Sequence, residues 1–237
     1  MLLDIQSFLN IDKALLSFFN GSNSVFIDSL ALTLTNGYTW IPFYLGFAYL
    51  IIKNNEKAGQ IFLTIMAAVV CVLITDGLSD GLVKPSVARL RPSLDPSMVG
   101  IVRLVNGYNG TGYSFFSAHA ANLSGLSVFF SLLIRRRTVT ITLLTWTLVG
   151  SWTRLYLGVH YPSDVLVGLL VGSLTGVIVY ACYLKLYYRI SQRFHFISSQ
   201  YTSTGYSLSD LDVFMTIVVL VSGYVLLRSV VAASTLY

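Results

Sequence analysis

Apolar residues run along most of the chain in long stretches, which short polar segments separate. Two of these stretches, residues 61–75 and 165–184, contain no charged side chain. A helix of about 20 apolar residues spans the hydrocarbon layer of a bilayer, so lipid is the expected surrounding of such stretches. The pattern predicts an all-α fold, a polytopic transmembrane helical bundle of about six spans. The predicted spans are residues 38–53, 58–83, 118–135, 138–156, 163–187 and 211–233.

Residues 1–36 follow a different pattern, in which apolar side chains recur near helical spacing with polar ones among them. Ile5, Phe8 and Leu15 belong to the apolar set, and Asp4 and Lys13 interrupt it. This pattern is typical of a helix that lies on the membrane surface. We therefore divide the chain into an N-terminal interfacial amphipathic segment, residues 1–36, and a transmembrane domain, residues 37–237.

Composition agrees with a membrane protein, since hydrophobic residues make up 55% of the chain and charged residues only 11%. Soluble domains carry about 25% charged residues. The net charge is +5, but no basic stripe is visible of the kind that binds nucleic acid. Both cysteines fall in apolar stretches, where they act as small packing residues. We therefore expect no nucleic-acid partner, no disulfide and no metal site.

Basic residues are distributed unevenly over the alternate loops. The denser set consists of Lys53, Lys57, Arg135, Arg136, Arg137, Lys185, Arg189 and Arg193. The positive-inside rule places this set in the cytoplasm. The opposite, outer side still carries Lys13, Lys84, Arg89, Arg91, Arg103, Arg154 and Arg228. Topology disfavours basic residues there, so the outer set calls for a chemical explanation.

Three polar stretches stand at predicted helix ends on that outer side, at residues 84–92, 116–119 and 154–164. They meet at one membrane depth if the spans pack as a bundle. Two of the three histidines of the chain fall in these stretches. The polar residues that the stretches bring together are Lys84, Arg91, Ser117, His119, Arg154, His160 and Asp164.

This set of side chains predicts a phosphate site. Lys84, Arg91 and Arg154 can neutralise a phosphate dianion, and guanidinium groups match its oxygens in bidentate fashion. Ser117 stands where the N-cap of the next helix is expected. The free N–H groups at that helix start, including that of Ala118, would bind an anion.

The histidines predict catalysis as well as binding. Asp164 follows His160 by four residues, so its carboxylate can reach the Nδ1–H and leave Nε2 free to attack phosphorus. His119 is then placed to protonate the leaving oxygen and later to activate water. This scheme requires neither a metal nor a cofactor.

These residues resemble the motifs of the type 2 phosphatidic acid phosphatase superfamily, K-x6-RP, PSGH and SR-x5-H-x3-D. The first is complete at residues 84–92, and R-x5-H-x3-D is complete at residues 154–164. The resemblance implies phosphate binding by Lys84, Arg91, Ser117 and Arg154, and catalysis by His119, His160 and Asp164. The sequence departs from the pattern at Phe116 for proline, Ala118 for glycine and Thr153 for serine. Because none of these changes removes a charged or proton-transferring group, we expect an active enzyme.

We therefore predict a metal-independent phosphatase in a bacterial inner membrane, with the active site facing the periplasm and a membrane lipid phosphate as its substrate. The resemblance implies undecaprenyl diphosphate, lipid A, phosphatidylglycerol phosphate and phosphatidic acid as candidate substrates. We rank the first two highest, because both present their phosphate on the outer side in Gram-negative envelopes. The alternative from another class is a lipid-binding or transport protein without turnover, which the three departures favour and the two histidines disfavour. A haloperoxidase-like activity is disfavoured because the relatives with that activity are soluble.

For some polar and small residues, the sequence is compatible with two roles. Asp80 is predicted to pair with Lys84 four residues on, rather than to handle substrate. Arg89 and Arg103 either touch the lipid headgroup or lie in a solvated loop. Gly residues at 168, 172 and 176 form a row for close helix approach, within the bundle or across a dimer.

Overall fold

The computed structural model describes residues 2–190 and 199–234, and within these ranges the protein is built from helices without a strand. This architecture confirms the prediction of an all-α transmembrane fold. Arg193, which was assigned to the cytoplasmic set, lies outside the described residues. The helices are α1 (Leu2–Asn20), α2 (Val25–Thr35), α3 (Ile41–Lys53), α4 (Ala58–Asp76), α5 (Lys84–Val87), α6 (Ala118–Ile134), α7 (Arg137–Tyr156), α8 (Pro162–Ile190) and α9 (Leu208–Ser234).

Among the described residues, three helical stretches are long and apolar enough to cross a membrane. They are Ala58–Val87, Pro162–Ile190 and Leu208–Ser234, each at least 27 residues long. The first stretch consists of α4, a π-helical segment at Gly77–Val83 and α5. The predicted spans at residues 38–53 and 118–135 correspond to shorter helices of 13 and 17 residues. The count of six spans therefore stays a prediction.

The row of glycines on α8 packs against α6 inside the bundle. A Cβ atom added at Gly172 would lie 2.0 Å from the Ala121 carbonyl oxygen. Equivalent atoms at Gly168 and Gly176 would lie 2.5 Å from the carbonyl oxygens of Ser117 and Gly125. Any side chain here would collide with α6 backbone, so glycine lets the two helices touch backbone to backbone. This close approach explains the row within a single chain.

Helix α1 presents an exposed apolar stripe made of Phe8, Ile11, Leu15 and Phe18, of which Phe18 is 80% exposed. Its other face packs on the protein, where Leu16 is fully buried against Met98 and Tyr161. An outward apolar stripe on a helix that is docked by its other face is the arrangement expected at a membrane surface. The interfacial position of residues 1–36 nevertheless stays a prediction.

Candidate active site

His160 lies in the short connection between α7 and α8, and it is 4% exposed. Pro162 is the first residue of α8, and Asp164 follows in its first turn. The Nδ1 atom of His160 lies 3.6 Å from Oδ2 of Asp164, longer than a formed hydrogen bond but on the predicted side of the ring. The same Oδ2 accepts a 2.9 Å hydrogen bond from the Tyr161 N–H.

Burial lowers the pKa of His160 to about 4, against the opposing effect of Asp164. Desolvation disfavours the charged imidazolium, because the ring has little access to water. A histidine with a lowered pKa is neutral at physiological pH. Its Nε2 lone pair is then available to attack an electrophile.

Arg91 lies directly against the free nitrogen of His160. Its Nη1 is 3.2 Å from Nε2 of His160 and also donates a 2.9 Å bond to the Val159 carbonyl, while Nε donates to the Thr111 carbonyl at 2.9 Å. The guanidinium is thus fixed by backbone acceptors at the point where a group attacked by Nε2 would sit. This position is suited to binding the oxygens of that group.

Arg154 presents a buried donor with an unmet hydrogen bond. The residue is 8% exposed, and its Nε and Nη1 donate to Thr153 Oγ1 and the Tyr108 hydroxyl, both at 3.2 Å. Nη2 has no partner among the described residues. A buried cationic N–H without an acceptor is costly, so this donor is suited to binding an anion.

Lys84 follows the π-helical segment and pairs with Asp80, as predicted from their spacing. Asp76, one turn deeper, instead accepts a 2.8 Å bond from the Asn122 side chain on α6. A π-helical segment changes the direction of the side chains that follow it and is frequent at functional sites. Lys84 lies close enough to His160 to lower the pKa of that ring.

Ser117 is the N-cap of α6, as its sequence position predicted. Its hydroxyl accepts a 3.4 Å bond from the Ala120 N–H, and its own N–H donates to the Asp164 carbonyl at 3.0 Å. Ala118 and His119 form the first turn of the helix. His119 interacts electrostatically with Arg154 and His160, so the two histidines lie near each other.

The three departures from the motif are accommodated without loss of a polar group. Ala118 has no positive φ, because it is the first residue of α6. Thr153 uses its hydroxyl to hold Arg154 and donates to the Gly150 carbonyl at 2.7 Å. Phe116 is buried, and its carbonyl accepts a 2.9 Å bond from Ser79.

Arg89 and Arg103 form ion pairs that the sequence did not predict. Arg89 donates to Asp164 and Asp12 at 2.6 Å each, and Arg103 pairs with Asp28 of α2. Both guanidinium groups are held by carboxylates, although 31% of the Arg103 side chain remains exposed. Their carboxylate partners lie 75 or more positions away in the sequence, so spacing offered no signal for these pairs.

The site therefore joins fixed cations, the start of a helix and a neutral histidine in one buried place. Lys84, Arg91 and Arg154 supply positive charge, and Ser117 and Ala118 stand at the helix start. Such a site can bind a tetrahedral dianion and attack its central atom. The individual roles assigned to these residues stay predictions.

Comparison with known proteins gives a consistent result. The model of the PAP2 superfamily matches residues 59–188. A lipid A 4'-phosphatase of Bacteroides thetaiotaomicron is 36% identical over 188 residues, which cover 78% of this chain and 83% of that protein. A lipid A 4'-phosphatase of Porphyromonas gingivalis is 30% identical over 180 residues, 76% of each chain.

A solved structure has the same fold. It is the crystal structure of a transmembrane PAP2-type phosphatidylglycerolphosphate phosphatase from Bacillus subtilis, with a TM-score of 0.56 and 19% sequence identity. The superposition covers 76% of this chain and 88% of that one. At this identity the likeness shows the arrangement of helices alone.

Proposed function

Since the chain belongs to the PAP2 superfamily, we propose that it removes a phosphate group from lipid A through a phosphohistidine intermediate. The broader prediction of a membrane lipid phosphatase is confirmed by the family match and by the relatives at 36% and 30% identity. Those two relatives carry the name lipid A 4'-phosphatase, which supports the 4'-phosphate as the group removed.

The observation that carries the mechanism is the contact of Arg91 with Nε2 of His160 at 3.2 Å. An arginine that already donates toward the nucleophilic nitrogen is positioned to bind an oxygen of the phosphorus that this nitrogen attacks. When a phosphate monoester binds, Nη1 exchanges Nε2 for a phosphate oxygen and keeps its bond to the Val159 carbonyl. The unmet donor of Arg154 takes another oxygen.

The reaction proceeds in two displacements. Nε2 of His160 forms a bond to phosphorus as the bond to the lipid oxygen breaks, and His119 gives its proton to that oxygen. Water then attacks the phosphohistidine, His119 takes the proton, and inorganic phosphate leaves. Lys84, Arg91 and Arg154 stabilise the charge on the equatorial oxygens in both steps.

The substrate proposal is tested by phosphate release from purified protein in detergent, with EDTA present and with His160→Ala as the control. The panel is lipid A, undecaprenyl diphosphate, phosphatidylglycerol phosphate and phosphatidic acid. We expect release from lipid A that survives chelation and is lost in the variant, with mass spectrometry locating the loss at the 4'-position. Preference for another lipid would change the substrate, and release that requires a metal would overturn the mechanism.

The role of His119 is tested by the leaving group. We expect His119→Ala to slow hydrolysis of a lipid phosphate far more than that of p-nitrophenyl phosphate, because nitrophenolate leaves without a proton. The measurement is kcat/KM on both substrates for the variant and the unsubstituted protein, because kcat/KM reports formation of the phosphohistidine and not its later hydrolysis. Equal losses on both would remove His119 as the general acid.

The pH dependence follows from the burial of His160. Imidazole attacks only when neutral, and burial lowers the pKa of His160 to about 4. We therefore expect kcat/KM to persist as the pH falls through the ordinary histidine pKa of about 6.5. A fall of kcat/KM at low pH can come from protonation of the enzyme or of the substrate. Comparing phenyl phosphate with p-nitrophenyl phosphate separates these two causes, because a fall whose midpoint changes with the substrate is due to the substrate. A fall common to both substrates near that ordinary value would contradict a neutral, buried nucleophile.

The periplasmic orientation is tested by labelling intact cells with a membrane-impermeant maleimide. Asn106 lies in the exposed loop before α6, and Arg136 lies in the opposite loop between α6 and α7. We expect Asn106→Cys to label and Arg136→Cys not to label. The unsubstituted protein is the control, since Cys71 and Cys182 both lie within helices. The reverse pattern would place the active site in the cytoplasm.

A further inference from the structure

Helix α1 contributes a buried carboxylate to the loop that carries the nucleophile. Asp12 is 3% exposed, and its Oδ1 accepts a 2.9 Å bond from the Ser163 N–H. Its Oδ2 accepts from the Ser163 hydroxyl at 2.6 Å. Ser163 is the second residue of α8, so Asp12 satisfies a free N–H at the start of that helix, where a negative charge is favoured.

Arg89 connects Asp12 to the partner of the nucleophile. Nη2 donates to Asp12 Oδ2 at 2.6 Å, while Nη1 donates to Asp164 Oδ1 at 2.6 Å and to Ser163 Oγ at 2.7 Å. The guanidinium also lies 3.9 Å above the ring of Tyr161. The Arg89 guanidinium thus binds Asp12 of α1 through one nitrogen and Asp164 through another.

This arrangement restricts the rotation of the Asp164 carboxylate. Oδ1 is bound by Arg89, and Oδ2 is bound by the Tyr161 N–H at 2.9 Å, so both oxygens are fixed. Oδ2 is the atom that faces Nδ1 of His160. The carboxylate held in this way places a negative charge on the Nδ1 side of the ring at 3.6 Å, which favours a proton on Nδ1 and leaves the Nε2 lone pair free.

We infer that Asp12 is a positioning residue of the catalytic centre, which acts on His160 through Arg89 and Asp164. The helix that carries it precedes the segment matched by the PAP2 model, residues 59–188. The effect on turnover rests on the proposed phosphohistidine mechanism, whereas the effect on the His160 ring does not.

The chain offers a matched control for a role in stability alone. Asp28 of α2 binds Arg103 through both carboxylate oxygens and accepts a 2.6 Å bond from the Tyr156 hydroxyl. This second pair also docks an N-terminal helix on the same loops through a buried carboxylate and an arginine. It makes no contact with Asp164, so its loss affects docking without affecting the nucleophile's partner.

The experiment compares Asp12→Asn with Asp28→Asn in the full chain, purified in detergent. Asparagine at position 12 keeps an acceptor for the Ser163 N–H but removes the charge that anchors Arg89. We expect Asp12→Asn to lower kcat on p-nitrophenyl phosphate by about 10- to 100-fold with KM within about twofold, since misplacement of a reacting group acts on the transition state. Asp28→Asn keeps kcat within about twofold of the unsubstituted protein, because its carboxylate lies outside the connection to His160.

Arg89→Lys tests the connection itself. Lysine retains the charge but lacks the fork that reaches two carboxylates. We expect its loss to resemble that of Asp12→Asn, and the double variant to lose little more than either one. Equal kcat for Asp12→Asn and Asp28→Asn, or losses that follow only the melting temperature, would reduce Asp12 to a docking residue.

Histidine resonances provide a readout that does not need turnover. The chain has three histidines, so labelling with 15N-histidine gives a spectrum of few signals. We expect the His160 signals to move in Asp12→Asn and to stay in place in Asp28→Asn. Unmoved signals in Asp12→Asn would overturn the inference even if the enzyme is active. If the unsubstituted protein releases no phosphate, the proposed function fails while this readout still decides the role of Asp12.

Discussion

His160→Gln is expected to reduce phosphate release by about 10⁴-fold or more, the scale seen when a nucleophile is removed from a catalytic set. Glutamine retains a side chain of similar reach but has no nitrogen lone pair that can attack phosphorus. His160 is 4% exposed, so bulk water has little access to the position from which Nε2 would attack phosphorus. The measurement is phosphate release from lipid A and from p-nitrophenyl phosphate.

The phosphoenzyme separates a nucleophile from a residue that only assists. Brief exposure of the unsubstituted protein to 32P-labelled substrate, followed by denaturation at alkaline pH, is expected to leave acid-labile label on the chain. His160→Gln is expected to carry none. His119→Gln is the matched histidine variant, and with p-nitrophenyl phosphate it is expected to accumulate label because water activation is lost. Label on the His160 variant would show that another residue attacks phosphorus.

Arg154→Gln is expected to lower kcat/KM by about 10²- to 10³-fold, the cost of removing one preorganised donor from a developing oxyanion. The buried Nη2 has no partner among residues 2–190 and 199–234, so this donor is available to an oxygen of the bound phosphate. Arg154→Lys is expected to recover little of the loss, because an ammonium group cannot hold Thr153, Tyr108 and an anion in one plane.

The melting temperature provides an independent test of the role of Arg154. An arginine that serves structure should destabilise the protein when it is lost. Removal of an arginine that serves to bind phosphate should leave the melting temperature of the ligand-free protein unchanged or higher, because a desolvated charge is removed. Vanadate is expected to raise the melting temperature of the unsubstituted protein and to have little effect on Arg154→Gln. Arg228→Gln, an exposed arginine on α9, is the control. Equal stabilisation of both variants would place the anion away from Arg154.

Much of the fold was predictable because apolar runs in a membrane protein must become helices. The predicted spans at residues 138–156 and 163–187 correspond to α7 and α8 within a few residues at each end. The pairing of Lys84 with Asp80 and the N-cap at Ser117 were also predicted, since both depend on neighbours in sequence. Local rules were sufficient for these features.

The contacts of the N-terminal helices were not predictable. Hydrophobic periodicity identified α1 as amphipathic, but it gave no indication that Asp12 reaches Arg89, 77 residues away. The sequence around an arginine does not indicate which distant carboxylate will pair with it in the folded protein. The glycine row likewise indicated close approach without naming its partner, and only packing identified the α6 backbone as that surface. The π-helical segment at Gly77–Val83 leaves no pattern distinct from an α-helix of the same composition.

The backbone contact between α6 and α8 also bears on how the enzyme responds to different bilayers. A bilayer that is thinner than the hydrophobic length of a protein tilts its helices. Helices separated by long side chains can slide past each other as they tilt. The backbone of α8 at Gly172 lies directly against the backbone of α6 at Ala121, which restricts such sliding. The two helices must tilt as one unit, and they carry His119 and Asp164 with them. We therefore expect the distance between His119 and Asp164 to change little with membrane thickness.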